Sequence, residues 1–79
     1  MTVKAYLLIE AQVGKTKDVV EAIRKVQEVV SVDVVTGPYD VIAIMQGETL
    51  NGIGKLIVSN VHTIAGISRT VTCIVISPP

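Results

Sequence analysis

The stretch Val30-Ser31-Val32-Asp33-Val34-Val35-Thr36-Gly37-Pro38-Tyr39-Asp40-Val41-Ile42-Ala43-Ile44-Met45-Gln46 decides the fold. Val30, Val32 and Val34 alternate with Ser31, Asp33 and Val35, a period of two that predicts a strand over Val30–Thr36. Thr36-Gly37-Pro38 interrupts it, because glycine tolerates positive φ and proline has no N–H to give a ladder. Tyr39–Gln46 resumes as a strand and Gly47 ends it. A break this short joins the two strands as an antiparallel hairpin.

Upstream of the hairpin the period changes. Val19, Val20, Ile23, Val26, Val29 and Val30 recur at spacings of three and four, one apolar stripe of a helix. Lys17, Glu21, Arg24, Lys25 and Glu28 fall on its other side. Thr16 is the expected N-cap, and Asp18 suits the positive end of the helix dipole. Before it, Val3–Val13 reads as a strand stopped by Gly14. Downstream, Thr49 is the expected cap of a second helix with apolar positions Leu50, Ile53, Leu56, Ile57, Val61 and Ile64. Gly52 and Gly54 inside it each cost up to about 1 kcal/mol against alanine. Gly66 is a natural stop, Ser68–Ser77 reads as a last strand, and Pro78-Pro79 closes the chain. The order strand, helix, strand, strand, helix, strand predicts an α+β, ferredoxin-like βαββαβ domain over residues 1–79, with two helices on one face of a four-stranded antiparallel sheet.

Composition bounds what such a domain does. Of 79 residues, 49% are hydrophobic and 18% charged, which excludes a disordered chain. Seven basic and seven acidic residues cancel, so the basic face that nucleic acid requires is not expected. One cysteine supports neither a disulfide framework nor a thiolate metal site. Followed by Ile74 and Val75, Cys73 is expected to be buried and inert. No charged leader with a long apolar core precedes the first strand, and the apolar runs fall far short of the roughly 20 residues of a membrane span. These features predict a soluble cytoplasmic protein with no membrane partner.

A sheet covered on one face alternates apolar with polar residues. These strands do not. Tyr6 and Leu8 oppose Ala5, Leu7 and Ile9. Val41, Ala43 and Met45 oppose Ile42 and Ile44. Val71, Cys73 and Val75 oppose Thr70, Thr72, Ile74 and Ile76. Two helices cannot cover both faces, and an apolar face of this size marks an interface. The expectation is that it packs on the same face of a second copy.

Candidate chemistry is sparse. His62 is the single histidine and has no visible nucleophile or metal partner. No phosphate-loop or dinucleotide glycine pattern occurs, and the strands lack the aromatics that stack RNA bases. No cofactor or metal is implied. Thr36-Gly37-Pro38-Tyr39-Asp40 is more informative: turn N–H groups suit a carboxylate and Asp40 suits an ammonium. The same carboxylate could instead bond the turn backbone. On the last strand, Ser68, Thr70 and Thr72 share a face at period two.

With Gly66-Ile67-Ser68-Arg69-Thr70-Val71-Thr72 one helix later, this T-G-x-Y-D pattern resembles the effector domain of Lrp/AsnC transcriptional regulators, also called RAM. Ala5-Tyr6-Leu7-Leu8-Ile9 and the first-helix pattern fit as well, so the resemblance spans essentially the whole chain. It implies a dimeric α+β barrel, two sheets face to face, with dimers assembling into rings such as octamers. It also implies an amino-acid effector bound between dimers. Carried residue by residue, the lining is Gly37, Tyr39, Asp40, Thr70 and Thr72, with Pro38 and Arg69 as neighbours. Full regulators carry an N-terminal helix-turn-helix domain. Met1-Thr2 reads as a natural start, so a stand-alone effector module is expected, without DNA contact of its own and with a full-length regulator as a further partner.

Three other readings compete. An ACT-like amino-acid-binding module would place its ligand at the loop after the first strand, near Gly14. A small α+β barrel enzyme would need an acid or base, and only Tyr6 and His62 offer one, so no enzyme activity is expected. A purely structural oligomer would bind nothing.

Overall fold

The structure, a computed structural model, describes residues 2–76. Strand β1 (Val3–Ala11) is followed by helix α1 (Thr16–Arg24), strands β2 (Val29–Val34) and β3 (Val41–Gly47), helix α2 (Leu50–Leu56) and strand β4 (Ile67–Ile74). α2 runs on into a π-helical turn over Ile57–Val61. The expected βαββαβ order is thus observed. The four strands form one sheet in the order β2-β3-β1-β4, and all its pairings are antiparallel. The expected hairpin is β2 and β3, closed by Val35 N–H donating to the Asp40 carbonyl at 2.9 Å.

Register assigns the faces, since residues directly opposite each other project to the same side. Ala5, Leu7 and Ile9 of β1 stand opposite Met45, Ala43 and Val41 of β3, and all six are buried. Val19, Val20 and Ile23 of α1, with Ile53, Ile57 and Val61 of the second helical segment, complete the core on that side. Burying an aliphatic side chain of this size is worth about 1.5–3 kcal/mol, so this layer carries the stability of the domain.

Several local details depart from expectation. Thr16 is the first residue of α1 and does not cap it. Lys15 holds the cap position without a side-chain bond, and Val19 N–H donates to its carbonyl at 2.9 Å. α1 stops at Arg24, short of the apolar stripe. Lys25 and Val26 N–H bond three residues back, to Ala22 and Ile23, which tightens the chain into a turn while Val26 still enters the core. Val30 is the extra residue of an irregularity, because Val29 faces Met45 and Ser31 faces Ile44. Val30 is therefore exposed rather than part of an alternating face.

Thr49 does cap α2: its hydroxyl accepts from Gly52 N–H at 2.9 Å. Ile53, Ile57 and Val61 repeat strictly every four residues and are all buried. Such a repeat drifts around a helix of 3.6 residues per turn, and the wider π-turn offsets the drift. His62 N–H accordingly reaches back five residues to the Ile57 carbonyl at 2.8 Å. Leu50, expected in the stripe, points outward and is exposed. Gly66 adopts φ +96, where side chains are strained, and a Cβ there would lie 2.9 Å from Lys15 Cβ. Its carbonyl accepts from Gln12 N–H at 2.7 Å, joining the β1–α1 turn to the entrance of β4. Ser77, Pro78 and Pro79, expected to end and follow the last strand, lie outside the described residues.

Candidate ligand site at the hairpin loop

The face of the sheet away from the helices is uncovered. Tyr6 stands between Ile44 and Cys73, and Leu8 between Ile42 and Val71. Leu8, Ile42, Ile44 and Val71 are half-buried, while Tyr6 and Cys73 are exposed. Cys73 is therefore not in the core as its apolar neighbours suggested, because with Tyr6 and Val71 it occupies the face that no helix covers. Polar residues rim this apolar patch: Lys4 opposite Gln46, Glu10 opposite Arg69, and Ser31 and Asp33 on β2. The Lys4 ammonium lies 5.2 Å from the Tyr6 ring centre, capping one end of the patch with charge.

At the other end, the β2–β3 loop carries the expected site residues. Gly37 takes φ +136, a conformation few side chains adopt, and it and Pro38 are exposed. Asp40 is anchored rather than free. Its N–H donates to the Ile9 carbonyl at 2.9 Å, and its Oδ2 accepts from Ala11 N–H, also at 2.9 Å. That bond falls where the β1–β4 ladder skips: Glu10 faces Arg69 but Ala11 faces Ile67, which leaves Ser68 over. A bulge disturbs the ladder locally, and the Asp40 carboxylate supplies an acceptor there. It is thus bonded to the neighbouring strand rather than to its own turn.

Tyr39 meets β4. An Arg69 Nη2–H donates to its hydroxyl at 3.2 Å, and the guanidinium carbon lies 5.6 Å from its ring centre. Gly37, Pro38, Tyr39, Asp40 and Arg69 therefore gather at one end of the sheet, beside the rim of the open face. Thr70 and Thr72 do not share that side. They stand opposite Ile9 and Leu7, on the face covered by the helices. Thr70 Oγ1 lies 3.2 Å from His62 Nε2, just past the π-turn. Sequence reading missed the Arg69–Tyr39 and His62–Thr70 pairings. The period-two signal was available for the first, since it puts Arg69 with Val71 and Cys73.

A cleft of about 340 Å³ opens at the opposite end of the sheet, bordered by Glu28, Glu48, Thr49 and Ser59 among others, and none of the expected site residues lines it. Among the described residues, no group of three or more His, Cys, Asp or Glu is placed to hold a metal ion. No helix there is long and apolar enough to cross a membrane.

A family model described as the Lrp/AsnC ligand binding domain matches residues 4–79. Among solved structures, the chain is similar to FFRP-DM1, with 31% identity over 94% of this chain and 99% of that one, at a TM-score of 0.89. It is also similar to E. coli AsnC, with 19% identity over 98% of this chain and 52% of that one, at a TM-score of 0.92. A third neighbour is the transcriptional regulator NMB0573 of Neisseria meningitidis, solved as a complex with L-Met. There the identity is 16%, the coverage 95% and 50%, and the TM-score 0.85. The last two likenesses are of fold, and the chain spans about half the length of each of those proteins. No curated protein matches it by sequence.

Proposed function

This chain belongs to the Lrp/AsnC ligand-binding domain family, and from that membership we propose that it senses an amino acid at the Gly37–Asp40 loop and assembles through its open sheet face. The family's domain is a regulatory, ligand-binding one, and a fold neighbour, NMB0573, was solved with L-Met. The observation that carries the reading is the grouping of opposite charges around one loop. Arg69 bonds to Tyr39, and the adjacent Asp40 is pinned to β1 through one carboxylate oxygen. A zwitterion presents the complementary pair of charges.

The open face supports assembly. Leu8, Ile42, Ile44 and Val71 are only half-covered, and a second copy would contribute the same four. Full burial of each is worth at most about 1.5–3 kcal/mol, so eight partly covered side chains offset an association cost on the order of 4–15 kcal/mol. The loop lies beside the rim of that face, so an assembly would bring a second subunit close to the ligand. A ligand binding one assembly state better than another then shifts the balance between them.

A thermal-shift screen of the twenty amino acids at millimolar concentration tests this reading. A ligand that binds only the native state raises Tm, and at least one amino acid is expected to do so. If none does, the chain is a structural oligomer.

A further inference from the structure

Building on the amino-acid reading, we infer that Arg69 is the carboxylate receptor of this site and that Tyr39 holds its guanidinium in readiness, so the site requires a free carboxylate and rejects the corresponding amide or amine. Arg69 is exposed and its backbone is fixed by pairing with Glu10 in the β1–β4 ladder. Its hydrogen bond runs to a neutral phenolic oxygen, at a rather long 3.2 Å. A guanidinium has five N–H donors in a planar fork, and its strongest bonds are short, paired ones to a carboxylate. The Tyr39 hydroxyl is a weaker acceptor than that, so a ligand carboxylate displaces it at little cost.

The contact with the Tyr39 ring serves a second purpose. A guanidinium 5.6 Å from a ring centre is held by cation–π attraction, which keeps the fork near the loop before a ligand arrives. The two charges then match an amino acid in order: Arg69 for its carboxylate and, one residue along from Tyr39, Asp40 for its ammonium. Asp40 Oδ2 is taken by Ala11 N–H, which leaves the second oxygen to face the ammonium. Glu10, the cross-strand neighbour of Arg69, adds a competing carboxylate on the same face. Binding should therefore tighten when Glu10 is replaced by glutamine. Ligand entry also exchanges the Arg69–Tyr39 link between β4 and the hairpin loop for two links through the ligand.

The test compares an amino acid that raises Tm with its carboxamide and its decarboxylated amine, by titration calorimetry on the whole chain. The acid is expected to bind roughly tenfold or more tighter than either analogue. Arg69→Gln should bring that preference to within about threefold, and Arg69→Lys, which keeps the charge but loses the fork, should fall between. Tyr39→Phe should keep the preference, because it removes only the resting acceptor. Far-UV circular dichroism confirms the fold of each variant. If amide and acid bind equally, or if Arg69→Gln leaves the preference intact, the inference falls while the amino-acid reading stands. If no amino acid binds at all, both fall.

Discussion

The Asp40 carboxylate accepts a hydrogen bond from Ala11 N–H at 2.9 Å, across 29 residues of sequence and at the point where the β1–β4 ladder skips. One side chain thus anchors the hairpin loop to the central strand. It also limits what can be learned from its removal. Asp40→Ala leaves a partly buried N–H without its acceptor and should destabilise the fold by about 1–2 kcal/mol. Asp40→Asn keeps an acceptor oxygen and should cost less than half as much. Urea unfolding of the two variants checks the difference. Equal losses would mean that charge, not the Ala11 bond, anchors the loop.

Gly66 is required twice, by its backbone angle of φ +96 and by Lys15 Cβ 2.9 Å from where its own Cβ would be. Gly66→Ala should therefore cost at least about 1–2 kcal/mol from the backbone alone, with the contact adding to it. Gly54 has positive φ neither in α2 nor any atom near its absent Cβ. Gly54→Ala should instead stabilise by up to about 1 kcal/mol through helix propensity. Opposite shifts in the urea midpoint are the expected result.

The cap of α2 is exposed and makes one bond, from Gly52 N–H to the Thr49 hydroxyl. Thr49→Ala should cost about 1 kcal/mol, while Thr16→Ala should cost little, because Thr16 makes no cap bond. Thermal denaturation of the two variants separates a working cap from an apparent one.

Leu8 lies at the middle of the open face, between Ile42 and Val71. A charge placed there must be desolvated on any sheet-to-sheet contact, at a cost that outweighs the apolar gain. Leu8→Glu should sediment as a monomer at micromolar concentration with its circular dichroism retained, and the native chain as a dimer or larger. A monomeric native chain would remove the assembly reading.

Much of this architecture was legible in the sequence because it depends on period. The three-four stripe of α1 names the buried residues Val19, Val20 and Ile23 correctly, while β1 and β3, apolar on both faces, are legible as strands without showing which face the helices cover. Period cannot see where an element stops, and α1 ends at Arg24 although Val26 continues its stripe into the core. Nor does it mark irregularities, so alternation assigns Val30 to a face it does not share. The site was legible only as a group of residues in one loop. That Arg69 rather than Thr70 turns toward Tyr39 follows from the face each occupies on β4, and that Asp40 bonds Ala11 follows from a bulge. The second is a long-range relationship with no signal in the local pattern, whereas the period of two along β4 already sets Arg69 on the face of Val71 and Cys73.

The central claim is that the Gly37–Asp40 loop holds an amino acid through the Asp40 charge. Calorimetric titration of the twenty amino acids into the native chain and into Asp40→Asn tests it most directly, because the asparagine variant keeps an acceptor for Ala11 while losing the carboxylate. The account predicts that at least one amino acid binds the native chain and that its affinity falls roughly tenfold or more in Asp40→Asn. Unchanged affinity in the variant, or no binding to the native chain, would contradict it.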